Sequence, residues 1–309
     1  MIGAGRLGGA LGRLLAEAGW RIEAVVTRSP ETAAAAARFI GAGEPSTDPV
    51  AAAARADVVL LTTPDRAIRE VCAAVGHGGG FRPGVLVAHC SGAHTLELLA
   101  PARAAGALRA VIHPLQSIPD MAQGVANIPG SAFRVEADAG ALAPAREIVL
   151  AVGGTELALP DWRGDADSAS LYHAGAVALS NYLVALIAYG LRFYEALGAD
   201  REAALRAVLP LVRGTLGNVE RLGATAALTG PIARGDAGTV AGHLEAMARR
   251  APELLGLYRA LARETVTVAR EQGGIGAREA DELLRLVREC APPEGPGHAG
   301  AGAGGSGSV

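Results

Sequence analysis

A glycine-rich turn near the start of the chain constrains its fold more than any other feature. Gly3-Ala4-Gly5-Arg6-Leu7-Gly8 reads G-x-G-x-x-G, a helical pattern over Leu7–Ala18 follows, and then a strand-like run, Ile22–Thr27. Each glycine has a mechanical task in such a sequence. The first permits a tight turn, the second lets backbone approach a pyrophosphate, and the third lets the helix lie close to the strand. Amide N–H groups at the helix start then face the phosphates. The spacing also occurs in turns that bind nothing. The strand and helix placed around it here favour a dinucleotide site made by Gly3, Gly5, Arg6, Leu7 and Gly8.

The first half of the chain alternates. Strand-like runs at Ile22–Thr27, Val58–Thr63, Val85–His89, Ala110–His113 and Ala132–Val135 are separated by helical patterns at Pro30–Phe39, Asp65–Val75 and Thr95–Ala105. Strands that alternate with helices imply βαβ units and a parallel sheet. The near-continuous apolar character of the runs suits strands covered on both faces. A strand of about five residues should precede the glycine turn. Only Met1 and Ile2 do so, which predicts either a truncated first strand or a start placed too late; the second is favoured, because a missing central strand would weaken the sheet.

After about residue 165 the pattern becomes helical, with stretches near 168–197, 201–221, 236–249, 252–272 and 277–290. Pro210 is expected to kink or split the second, Asp236 to cap the third after Gly235, and Pro252 to open the fourth. The fold class is therefore α/β: an N-terminal Rossmann-type parallel sheet, 1–160, followed by a second, all-α domain, 165–290. A Pro-, Gly- and Ser-rich tail, 291–309, is expected to be disordered.

Composition excludes several functions. A net charge of -3 supplies no basic stripe for a nucleic acid. Cys72, Cys90 and Cys290 are odd in number and widely spaced, which suits reduced thiols in a cytoplasm, and His89-Cys90 lacks the spacing of a metal site. No secretory leader is expected ahead of Gly3. The most apolar stretch, Ala174–Leu191, contains Ser180 and Asn181 and reads as a buried core helix in a protein without a membrane partner. All 28 basic residues are arginine, so no mechanism that needs a lysine can operate.

The end of the second strand selects the cofactor. NAD sites place an acid there for the ribose 2′-hydroxyl. Thr27-Arg28-Ser29 instead offers a guanidinium and two hydroxyls, which suit a 2′-phosphate and favour NADP; the plainer reading is a surface arginine. Thr63 and Pro64 end the next strand and Ser91 follows the one after. As strand C-termini line the crevice of such sheets, these residues are expected beside the nicotinamide. Asp65 has a plainer reading as a helix cap.

GAGRLGGALGRLLAEAG, DVVLLTTPD, HCSGAHTLELL and VIHPLQS together resemble the Rossmann half of the 6-phosphogluconate dehydrogenase-like superfamily, which includes ketopantoate reductase, pyrroline-5-carboxylate reductase and prephenate dehydrogenase. LYHAGAVALSNYLVAL and ALTGPIARGD resemble, more specifically, the family that joins a Rossmann-like oxidoreductase domain to a C-terminal helical domain of unknown function. The resemblance spans roughly residues 1 to 290 and implies a helical dimerisation domain, hence a homodimer. Several superfamily members use a helical K-x-x-x-N pair. Here Asn181 is preceded at that distance by Val177, so that mechanism does not carry over.

Reduction of a carbonyl needs a proton donor beside the oxygen. His173, Val177 and Asn181 fall on one helix face, with His173 placed to donate and Asn181 to orient; an interhelical hydrogen bond is the plainer reading. His113 closes a strand, and HPLQS is similar to the segment in prephenate dehydrogenases whose histidine faces the substrate, so His113 is an equal candidate. Ser117 and Gln116 follow it as substrate-side or loop residues. Arg234 has the fork to grip a carboxylate and Asn218 a place on the preceding helix, although a Gly/Pro turn alone would explain that segment. The expected activity is NADPH-dependent reduction of a small oxo acid, as a ketopantoate reductase would perform. A cyclic imine reductase and a non-catalytic NADP-binding sensor are the alternatives.

Overall fold

The computed structural model describes residues 1–288, and the chain divides into two compact units, the first Met1–Leu183 and the second from Val184 onward. Cys290, His298 and the expected tail lie outside the described residues.

In the first unit the chain order is α1 (Arg6–Glu17), β1 (Ala24–Val26), α2 (Pro30–Ile40), β2 (Glu44–Ser46), α3 (Pro49–Ala54), β3 (Val58–Leu61), α4 (Asp65–His77) and β4 (Leu86–His89). A 3-10 turn then leads into α5 (Ala100–Ala104), β5 (Leu108–Pro114), α6 (Met121–Asn127), β6 (Ala132–Ala137), α7 (Leu142–Ala151), β7 (Thr155–Glu156) and α8 (Ala166–Leu179). Short polar caps set where helices begin: Ser29, Asp48, Asp120 and Asp165 each accept a backbone N–H from the first turn they precede.

The parallel sheet expected from the alternation is present. β2 pairs with β1, and β3, β4 and β5 pair in sequence, all parallel. Ile2 bridges to Val26 on one side and to Leu61 on the other, so two apparent sheets are one, with a central strand shortened to Met1-Ile2-Gly3. The sheet is continuous across this short central strand. The parallel expectation needs one correction: β6 runs antiparallel to β5, and β7 pairs only with β6. A strand reached through the short α6 connection comes back beside β5 in reverse.

Apolar side chains cover both faces. Ile68, Cys72, Val75 and Leu99 pack against one face; Leu11, Leu15, Ile128 and Ile148 against the other. Both layers are thoroughly buried, which accounts for the near-continuous apolar strands. The thiols of Cys72 and Cys90 sit inside these layers, and burial pushes them up to about 11 and 12.

The second unit contains α9 (Asn181–Glu195, whose first turn lies in the first unit), α10 (Arg201–Leu222), α11 (Ala237–Arg250), α12 (Leu255–Gln272) and α13 (Ala277–Leu286). Val240, Leu244, Leu254, Val266 and Leu283 form its core. Asp236 caps α11, as expected. Of the kink or split expected at Pro210, the split does not occur: Pro210 lies inside α10.

Two further expectations fail here. The boundary expected between 160 and 165 lies at Leu183, because α8 packs its Tyr172 and His173 on the first unit. The apolar stretch Ala174–Leu191 is not a buried core helix. Leu179 is 80% exposed and Val184 68%, and across α8 and α9 only Ala169 and Leu191 are buried. The run from Ala166 to Glu195 is long and apolar enough to cross a membrane by length and composition alone.

Candidate functional site

The glycine turn has the geometry its sequence requires. Gly3 adopts φ +93°, where a side chain is strained, and a Cβ there would stand 2.6 Å from the Thr63 amide nitrogen. A Cβ on Gly8 would collide with Thr62 Oγ1 and lie 2.8 Å from the Gly3 carbonyl oxygen. Gly5 differs. A Cβ there would meet nothing nearer than 4.0 Å, so its open side is available to a ligand. Gly5 is the N-cap of α1, no side chain caps that helix, and its first turn carries no acid. The opening N–H groups of α1 therefore keep their partial positive charge for an anion. Arg6 and Leu7 occupy that first turn, with the Arg6 side chain exposed.

At the end of β1, Thr27 Oγ1 donates to the Ser29 carbonyl oxygen at 2.9 Å and lies 2.6 Å from Thr32 Oγ1, while Ser29 caps α2. These two hydroxyls organise the loop. Arg28 is exposed and enters no salt bridge among the described residues. The donor set fits a dinucleotide carrying an extra phosphate: an open glycine, an uncapped helix start and an unpaired guanidinium.

Thr63, Pro64 and Ser91 stand at the C-terminal ends of β3 and β4, as expected. Thr63 Oγ1 is buried without a hydrogen-bond partner. Asp65 is not a helix cap: it is the first residue of α4, and its Oδ2 accepts from Ser91 Oγ at 2.7 Å. His89, to which the sequence analysis gave no role, holds this loop. Its Nδ1 accepts from the Ser91 N–H at 3.1 Å and its Nε2 donates to the Thr95 carbonyl oxygen at 2.9 Å. Those partners fix a neutral ring, and burial lowers its pKa to about 4.

The held loop presents Gly92 to two histidines. A Cβ on Gly92 would stand 2.7 Å from His113 Nε2 and 2.9 Å from His173 Nδ1. The rings meet edge to face with centroids 6.3 Å apart. His113 and His173, equal candidates from sequence, are thus brought to one point at the C-terminal ends of β4 and β5. His173 Nδ1 is buried without a partner. Burial, with Arg134 adding to it, pushes His113 down to about 4.

Around this pair lies a polar layer that the sequence did not flag. Tyr172 Oη is 2.9 Å from His113 Nδ1. Arg134, only 1% exposed, donates through Nη2 to the carbonyl oxygens of Ser91 at 3.2 Å and His94 at 2.6 Å. Its guanidinium lies over the rings of Trp162 at 4.6 Å and Tyr172 at 5.4 Å. Glu136 stands 4.0 Å away, with its pKa raised chiefly by burial. A buried arginine in a strand gives no pattern in sequence; the available signal was the Tyr-His dipeptide beside a candidate histidine.

Gln116, Ser117 and Asn181 make no hydrogen bond to the histidine pair among the described residues. Asn181 opens α9 directly after Ser180, is exposed, and makes no side-chain hydrogen bond among the described residues. Gln116 and Ser117 are exposed. Gln116 Nε2 donates to Asn127 and Ser131, and the Ser117 amide donates to Gln116 Oε1. Asn218 and Arg234 belong to the second unit. Asn218 accepts from Arg221, and Arg234 is exposed in a 3-10 turn.

A continuous α/β sheet with helices on both faces and a glycine turn at its crevice defines a Rossmann-type protein with a helical second unit. Comparison with known families agrees. Residues 1–114 match the Rossmann-like domain and residues 131–265 match the domain of unknown function DUF2520, so the chain carries a Rossmann-like domain joined to a DUF2520 domain. No curated protein sequence matches it. Among solved structures, a protein from Thermotoga maritima is similar at 25% identity and TM-score 0.67, covering 88% of this chain and 98% of that one. A Bacteroides fragilis protein described as an NADP oxidoreductase is similar at 22% identity and TM-score 0.66, over 86% of this chain and 96% of that one. A pyrroline-5-carboxylate reductase from Coxiella burnetii is similar at 17% identity and TM-score 0.56, over 93% and 97%.

Proposed function

We propose that the chain is an NADPH-dependent reductase of a small oxo acid, working in the cytoplasm as a homodimer. The observation that carries the reading is the open side of Gly5 at an uncapped helix start, between two glycines that tolerate no side chain. It agrees with the NADP-linked description of the Bacteroides fragilis relative. NADPH would lie on the Gly3–Gly8 turn, with its 2′-phosphate beside Arg28 and its nicotinamide near Thr63, Pro64 and Ser91. Bound there, it supplies the hydride.

The chain's own residues supply the rest. His113, neutral at physiological pH, donates from Nε2 to the substrate oxygen and polarises it, and His173 borders the same point. Arg234 and Asn218 stay candidates for gripping the carboxylate, as Asn181 and Ser117 do for orienting the substrate. The exposed apolar side chains of α8, α9 and α10 support the homodimer, since a second copy would cover them. The unpaired, buried Cys72 and Cys90 accord with a reducing cytoplasm.

Binding is the test. Purified protein should take NADPH tightly and NADH weakly. Arg28→Ser should cost about tenfold in NADPH affinity with little change for NADH, as expected for one lost charge-assisted contact of roughly 1–2 kcal/mol. Turnover is then read on ketopantoate and related oxo acids, with pyrroline-5-carboxylate for the imine alternative. Binding without turnover on any of them points to the sensor. Absence of affinity for either coenzyme rejects the reading.

A further inference from the structure

Tyr172 precedes His173 on α8 and makes its hydrogen bond to the other histidine. Tyr172 Oη lies 2.9 Å from His113 Nδ1, with ring centroids 5.5 Å apart and the planes at 85°. Nδ1 is the inner nitrogen of His113. Its outer nitrogen, Nε2, makes no hydrogen bond among the described residues and points at Gly92, where a Cβ would stand 2.7 Å away. The absence of a side chain there keeps that nitrogen accessible.

One ring can hold one proton in two places, and its partner decides which. A phenol can donate or accept, so the bond alone leaves two arrangements. The surroundings of Tyr172 break the tie. Arg134 lies over its ring at 5.4 Å, and that guanidinium is fixed by the carbonyl oxygens of Ser91 and His94 and by stacking on Trp162. A fixed cation beside a phenol favours the build-up of negative charge on its oxygen, which strengthens it as a donor and weakens it as an acceptor. Burial still holds the hydroxyl above its ordinary pKa, so it is protonated at neutral pH.

We propose that Tyr172 is a positioning and relay residue: its hydroxyl donates to His113 Nδ1, confines the ring proton to Nε2, and replaces that proton when the substrate draws it off. The proposal rests on the reading of the site as a carbonyl reductase and adds to it the route of the proton. The balance is complete. The carbonyl carbon gains a hydride from NADPH and the C=O electron pair moves to oxygen. That oxygen forms a bond to the Nε2 proton, and Nδ1 takes the Tyr172 hydroxyl proton. The phenolate left behind lies under Arg134; it takes the Nδ1 proton back as solvent protonates Nε2, which restores the starting tautomer. His113 is neutral before and after, so the site needs no imidazolium.

The test separates this from the function itself. Protein labelled with 15N-histidine, with His113→Gln to assign the signal, is measured by NMR at neutral pH without any ligand. The expected result is a protonated Nε2 and a bare, hydrogen-bonded Nδ1. Tyr172→Phe should shift the signal toward a mixture of tautomers while the His89 signal stays unchanged as a control for folding. A wild-type His113 protonated at Nδ1, or a signal that Tyr172→Phe leaves in place, overturns the proposal. If Tyr172→Phe does not fold, the wild-type tautomer alone decides. With a substrate in hand, Tyr172→Phe should lower kcat by about 10- to 100-fold at nearly constant KM, within the range for assisted proton transfer. If nothing is turned over, the spectrum still reports the tautomer, so failure of the reductase reading and failure of the relay give different results.

Discussion

The two ends of the first unit's sheet are built on opposite terms. At the C-terminal end, glycine backbones, a held loop and two histidines crowd together, and His89 and His113 are each held by a hydrogen-bond partner. At the N-terminal end, Met1, Ile22, Ala24, Val58 and Leu60 line a cavity of about 250 Å³. At one, burial holds His89 and His113 at about 4; at the other, in a polypeptide that starts at Met1, burial lowers the amine to about 6, although it donates to the Ala24 carbonyl oxygen at 2.9 Å. The first end spends stability on placing reactive groups, whereas the second leaves space unfilled.

That contrast predicts stability losses in separate pH windows. The largest belongs to the C-terminal end. Between about pH 6.5 and 4 the unfolded chain binds protons that folded His89 and His113 refuse, so stability falls as pH falls through that window. Each histidine contributes about 2–3 kcal/mol. Urea melts across that range should show the loss, and His113→Gln should remove part of it. A melt flat from pH 7 to 4 would contradict the buried neutral rings. The second, smaller loss belongs to the other end. In a polypeptide that starts at Met1, the amine has a lowered folded pKa, so stability rises with pH between about 6 and 8 and is lost as pH falls through that interval, by roughly 2 kcal/mol. Placing a few apolar, β-branched residues ahead of Met1 should fill the cavity, abolish this upper step and raise the Tm by several degrees. The lower step should be untouched; its disappearance would show that the ends are not independent.

The sequence was readable where periodicity and turn chemistry act locally. The glycine turn, the five expected strand runs and the cap at Asp236 all follow from spacings of a few residues. Of the candidate site, His113 and His173 could be named but not paired, because 60 residues of chain separate them and only the fold brings both to Gly92. Arg134, Tyr172 and Trp162 were illegible for a deeper reason. A buried arginine stacked between aromatic rings is specified by three distant positions together, and each alone is ordinary. β2 and β7 escaped notice because they are three and two residues long, too short for any alternation to register. The exposure of α8 and α9 could not be read from an apolar pattern that normally means burial.

The smallest effect gives the sharpest comparison, because it separates binding from stability within one turn. Gly8→Ala places a methyl against Thr62 Oγ1 and the Gly3 carbonyl oxygen, both held by the sheet, so α1 must move away from it. Overpacking of this kind costs about 1–3 kcal/mol. Gly5→Ala puts the same methyl into open space, where the backbone angles of Gly5 (φ -82°) suit alanine. It should leave the Tm almost unchanged, yet the methyl would occupy the side of the turn on which a pyrophosphate rests. NADPH affinity should then fall about tenfold or more in Gly5→Ala, with no loss of stability, while Gly8→Ala loses both. Calorimetric binding paired with thermal melts on the two variants reads the difference. Unchanged NADPH affinity in Gly5→Ala would mean that the open side of the turn faces no ligand, and the glycine motif would then serve only the packing of α1 on the sheet.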